Sequence, residues 1–178
     1  MKTNDVLEIL EGLKDEFFQY AVADTGVLKF QQAVADACKA NYCGMYGKTW
    51  TCPPAIDDYS VMEKNLKKYG RFFVFTTKHD IEDSFDFEGM TKGKDKHGEV
   101  QQRVMDSLKG LPVRVLGAGG CTYCPKCTYP LSPCRFPEKA VSSIEACGIN
   151  VVELARDVDI NYVNGPDTVT YFSIVFFD

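Results

Sequence analysis

The sequence predicts an α/β fold, with α+β as the alternative: a small central sheet of roughly three to four strands, flanking helices and cysteine-rich metal-binding loops. Three observations predict it. Apolar runs rich in aromatic and β-branched residues recur at 71–77, 111–117 and 168–178. Stretches of helical periodicity separate them. The cysteines lie mostly on Gly- and Pro-bearing connections, where a rigid scaffold usually presents its chemistry.

Residues 5–20 place Val6, Ile9, Leu10, Leu13 and Phe17 on one stripe, which predicts an amphipathic helix. "VLKF" (27–30) reads as a short strand and "QQAVADACKA" (31–40) as a helix. "GMYGKTWTCPPA" (44–55) has the glycines and prolines of an irregular loop. A helix over 57–69 is capped by Asp57 or Asp58, turns Tyr59, Met62, Leu66 and Tyr69 inward and stops at Gly70. "RFFVFTT" (71–77) is a buried strand, and the polar segment 78–98 reads as a mobile connection. A helix over 99–109 presents Val100, Val104, Met105 and Leu108. "LPVRVLG" (111–117) is the next strand and runs through "AGG" into Cys121. Beyond the cysteine run, a helix over 138–147 ends at Gly148. A second, over 151–158, is opened by Asn150 with Glu153 placed as in a capping box. "TVTYFSIVFFD" (168–178) closes the chain as a long strand that pairs with either interior one.

Composition narrows the function. With 45% apolar and 25% charged residues among 178, the chain can bury a real core, and its length suits one cysteine-rich metal-binding domain over 1–178. A net charge of −5 lacks the basic footprint of a nucleic-acid binder. No run has the length of a membrane span, and the acidic N-terminal stretch lacks the apolar middle of a signal peptide. The expected location is therefore cytoplasmic, with neither nucleic acid nor membrane as partner. In that reducing compartment eight cysteines read as metal ligands or catalytic groups before disulfides.

Cys121-x2-Cys124-x2-Cys127-x6-Cys134 resembles the ferredoxin run C-x2-C-x2-C-x3-C-P, departing from it in the last interval. The x2 steps let the chain turn back so that successive thiolates converge on one small inorganic body. A structural zinc site more often uses two separate knuckles on a spacer of roughly 12 to 20 residues. The other group, Cys38-x4-Cys43-x8-Cys52, is looser, but Gly44, Gly47 and Pro53-Pro54 let its loop wrap around a cofactor. Tyr46 and Trp50 serve either as shields against water or as plain core. Cys147 lies on the apolar face of its predicted helix, where it is either a small buried hydrophobe or the fourth ligand of the first group. Two four-thiolate sites would consume all eight cysteines, which predicts one or two [4Fe–4S] clusters, with zinc as the alternative. In two-cluster ferredoxins the fourth cysteine ligates the other cluster, so Cys134 and Cys147 can exchange places.

Other signals are thin. His79 and His97, both in the polar connection, do not make a histidine-based triad or metal site. "GAGG" (117–120) does not continue as a nucleotide-binding turn into a helix, because Cys121 intervenes, and it reads as room for close backbone approach. Lys39, Lys48, Lys126, Arg135 and Lys139 surround the thiols and would offset the negative charge of a cluster, unless they serve only solubility. "DIEDSFDFE" (80–88) lacks Ca²⁺-loop spacing and reads as a solvated face.

"CGMYGKTWTCPP" (43–54) and "CTYCPKCTYPLSPCRFPEKAVSSIEACGINV" (121–151) resemble the predicted metal-binding proteins grouped as family 2284 of the domains of unknown function. The common features are Y-G…C-P-P, C-x2-C-x2-C-x6-C and Ser-x-Glu-Ala-x-Gly-Ile, the last with Ile144 where Met is expected. The resemblance spans roughly residue 25 to the end. It implies a cysteine-ligated metalloprotein of a kind found mostly in anaerobic bacteria and archaea. The positions that match directly are Cys43, Cys52, Cys121, Cys124, Cys127 and Cys134, whereas Cys38 and Cys147 match less directly.

The leading expectation is an iron–sulfur protein that relays single electrons to or from a redox partner protein. One alternative is an enzyme whose Cys38, Cys43 and Cys52 hold a cluster with an open iron facing a small-molecule substrate. The other is a zinc-stapled interaction module.

Overall fold

The two most apolar runs of the chain lie side by side. The computed structural model of the protein describes residues 3–178, and in it β2 (Arg71–Asp80) pairs antiparallel with β4 (Thr168–Phe177) along their whole lengths. β1 (Gln19–Asp24) and β3 (Arg114–Leu116) add antiparallel edges, giving the order β1-β2-β4-β3. The last strand is thus interior and pairs with both β2 and β3.

Both faces of this small sheet are covered, which is why β2 and β4 carry unbroken apolar runs instead of alternating ones. On one face Phe73, Phe75, Val175 and Phe177 pack against Val6 and Leu10 of α1 (Thr3–Gly12), Phe17, and Val104 of α4 (Phe87–Ser107). On the other, Phe72, Val74, Phe172, Ile174 and Phe176 meet Met62 and Leu66 of α3 (Tyr59–Leu66) and Val151, Leu154 and Ala155 of α5 (Val151–Asp157). α2 (Gln32–Lys39) flanks this second face through the 3-10 turn Glu145–Cys147. The fold class is the expected one, a small sheet between helices.

Several elements depart from expectation. The first helix ends at Gly12, and Gln19–Asp24 is a strand. Its inward apolar residues are Ala21 and Ala23, so it lacks the bulky alternation that marks a strand. Residues 27–30 are not a strand; Phe30 makes a single bridge to Ile149. The segment 78–98 is no loose connection. β2 continues to Asp80, and Asp86 accepts from Gly89 N–H at 2.8 Å to cap α4. The buried stripe of α4 is Gly93, His97 and Val104, an apolar period concealed by a glycine and a histidine. Residues 138–147 form only the short 3-10 turn, because Gly117 bridges to Ser143 and exchanges hydrogen bonds with Ser142 and Ile144 there. Gly148, at φ +89°, ends that turn as expected. Asn150 caps α5 through Val152 and Glu153 N–H, but the Glu153 carboxylate accepts from Gln31 Nε2 instead of closing the capping box.

Candidate metal centre

Leaving β3, the chain passes Gly117–Gly120 and enters the cysteine run as a loop held by its own turns. Leu131 and Ser132 N–H both donate to Thr128 O, Thr128 Oγ1 donates to Pro133 O, and Arg135 Nη1 donates to Lys126 O at 3.0 Å. The result places Cys121, Cys124, Cys127 and Cys134 on the wall of one small cavity, with Trp50, Thr51 and Phe136 completing it. Burial first, and then the neighbouring Cys134, Cys127 and Cys124, push the Cys121 thiol pKa up. All four are partly buried free thiols.

The first motif builds a different cavity. Cys38 sits on the last turn of α2, and its Sγ donates to Glu145 O at 3.7 Å. The following loop reverses through Asn41, Gly44 and Gly47, all at positive φ, while Asn41 Oδ1 accepts from Tyr46 N–H and Pro53 O from Gly47 N–H. Cys38, Cys43 and Cys52 thereby line a cavity of about 590 Å³ with Val34, Met45, Tyr46, Glu145, Asn150, Val151 and Tyr162. Burial, then Cys43, Glu145 and Cys52, raise the Cys38 pKa. Loss of water around its carboxyl group raises the Glu145 pKa as well.

Cys147 lines neither cavity. It is fully buried in the core beneath β2 and β4, and burial raises its pKa to about 12. Among the described residues, no three His, Cys, Asp or Glu side chains are grouped tightly enough to hold one metal ion. The chemistry of the two walls, four thiols on one and three on the other, fits a group ligated by sulfur.

The two loops are stitched together. Cys121 N–H donates to Thr51 Oγ1, Trp50 Nε1 donates to Ser132 O at 3.0 Å, and the Trp50 ring meets Tyr129 edge-on at 4.9 Å. Trp50 therefore covers the four-thiol cavity, and Tyr46 lines the three-thiol one. The glycines of "GAGG" admit neighbours: a Cβ at Gly117 would lie 2.2 Å from Gln101 Oε1, and one at Gly120 2.6 Å from Met45 Cε. Two of the five cations have partners in the loop, Lys139 over the Tyr123 ring at 5.2 Å and Arg135 on the loop backbone. Sequence reasoning missed His97, which is buried and hydrogen-bonded through both ring nitrogens; a helical period containing a histidine was its only signal.

Fold and site together define a cysteine-rich protein of the metal-binding class, a small sheet between helices with seven of its eight thiols lining two cavities near the ends of β3 and α2. The chain belongs to the family of predicted metal-binding proteins (DUF2284), whose model matches residues 21–177. No curated protein and no solved structure matches it. Among the described residues, no helix is long and apolar enough to cross a membrane.

Proposed function

We propose that the protein is an iron–sulfur redox protein with two unlike sites. Cys121, Cys124, Cys127 and Cys134 would hold one [4Fe–4S] cluster, and Cys38, Cys43 and Cys52 would hold a second beside a small-molecule pocket. One observation carries this reading: three thiols open onto a cavity of about 590 Å³ while the only cysteine left to complete their set, Cys147, is sealed in the core. When bound, such clusters supply single-electron transfer, and three-thiolate ligation also leaves an iron position for an outside ligand.

The chain's own residues suit those roles. Trp50 and Phe136 shield the four-thiol wall from water, which helps set a reduction potential. Tyr123, Leu131 and Phe136 are exposed on the same loop beside Lys126 and Arg135, a surface for a redox partner protein. The walls of the larger cavity are mostly apolar, with Gln31, Asn150 and Tyr162 as polar anchors, which suits a small, largely apolar molecule with few polar groups.

The test is an anaerobic preparation assayed for iron, acid-labile sulfide and zinc. We expect about eight irons and eight sulfides per chain, about half of each lost in Cys52→Ala, and none lost in Cys147→Ala. Zinc without sulfide overturns the proposal. Equal losses in both variants make Cys147 a ligand and leave a closed electron relay.

A further inference from the structure

A third pocket, of about 300 Å³, lies between α4 and the Gly117–Gly120 segment. It borders Cys121, and the polar side chains Lys94, Gln101, Gln102 and Lys139 line it together with Asp95, Glu99 and the apolar Ala118 and Val141. His97 and Gln101, both in its lining, belong to a series of hydrogen bonds that links α4 to β2 and β4 behind the pocket.

The direction of every proton in that series follows from its end. Ser173 donates its single hydroxyl proton to Gln101 Oε1 at 2.8 Å. Ser173 Oγ must then accept from His97 Nε2–H, also at 2.8 Å. Burial, and next the neighbouring His79, lower the His97 pKa to about 4, so the ring is neutral and its Nδ1 is an acceptor. Thr77 Oγ1 supplies that proton at 2.8 Å and in turn accepts from His79 Nε2–H at 2.8 Å. The series therefore runs one way, from His79 to Gln101, and pins the Gln101 carbonyl inward.

With its oxygen held, Gln101 presents its NH₂ group to the pocket. Among the described residues no side chain or carbonyl takes up those N–H groups, and the nitrogen is not fully buried. Gly117 makes the posture sterically feasible, since any Cβ there would collide with the amide. Lys94 donates to Gly120 O at 3.0 Å and retains further protons for a ligand.

We propose that this pocket binds a small carboxylate, held by Gln101 Nε2, Lys94 and Lys139, with the His79–Thr77–His97–Ser173 series positioning Gln101. Asp95 and Glu99 offset the two lysines, which selects a ligand of low net charge and admits an ammonium-bearing carboxylate such as an amino acid.

Equilibrium dialysis of the anaerobically purified protein against radiolabelled acetate, glycine and inorganic phosphate tests it. Saturable binding of acetate or glycine at one site per chain is expected, with phosphate weaker. Gln101→Glu keeps an acceptor for Ser173 but replaces the two donors by a negative charge, and should weaken binding by about tenfold or more. Lys139→Met, at the pocket rim, should weaken it in the same direction. Absence of saturable binding of both carboxylates, tighter binding of phosphate, or undiminished binding in Gln101→Glu would each overturn the proposal.

Discussion

Cys121 N–H donates to Thr51 Oγ1 at 3.3 Å, tying together the two cysteine motifs across 70 positions of chain. Thr51 is 4% exposed and adjoins Cys52, so a single side chain supports the entry to one thiol wall and the exit of the other. Thr51→Val keeps the shape but leaves that N–H unpaired. It should cost about 1–3 kcal/mol and lower metal retention at both motifs, whereas Thr51→Ser should retain both. Urea melts and metal content after dialysis check this.

Cys147 behaves as core. Its thiol is fully buried with a pKa raised to about 12, so almost no thiolate exists at neutral pH. In the metal-free folded protein, iodoacetamide should modify exposed Cys43 first and leave Cys147 untouched, read by peptide mass mapping. Cys147→Ala should cost about 1–2 kcal/mol through the small void it leaves.

His97 makes stability depend on pH. Its folded pKa, lowered to about 4 from 6.5, means that the unfolded chain binds the proton more readily between those values. The contribution is fully present above about pH 6.5 and is lost as pH falls toward 4, amounting to about 3 kcal/mol. His79, whose pKa burial also lowers, acts in the same direction. His97→Gln should flatten the slope of unfolding free energy over that window, measured by denaturant titration at several pH values.

Gly120 is held free of a side chain by Met45. A Cβ would approach Met45 Cε at 2.6 Å and Cγ at 2.9 Å, so Gly120→Ala must displace Met45, which lines the three-thiol cavity. The expected cost is about 1–3 kcal/mol. Adding Met45→Ala should recover part of it, and a double-mutant cycle by thermal unfolding gives the coupling.

Much of the fold was legible in local pattern. The interior strands announced themselves through "RFFVFTT" and "TVTYFSIVFFD", and α3 through its Asp58 cap and inward Met62 and Leu66. β1 and the first half of α4 were not legible, because their inward positions are the partly buried Ala21 and Ala23 and the buried Gly93 and His97. Such residues acquire an inside only when a neighbour covers them. The helix expected over 138–147 failed because Gly117, distant in sequence, captures the backbone groups of that segment.

The cysteines divide along the same line. Spacing alone gathered Cys121, Cys124, Cys127 and Cys134 and set Cys38, Cys43 and Cys52 apart, because a few residues of chain between thiols limit how far they can separate. The sequence by itself therefore determined the spacing of the two cysteine motifs and the small sheet that carries them. Tertiary structure alone decided that Cys147 lies in the core, that Thr51 and Trp50 join the two loops, and that the Gln101 carbonyl is held by Ser173. Those outcomes depend on burial and on bonds between distant segments, and no local pattern encodes which distant surface a side chain will meet.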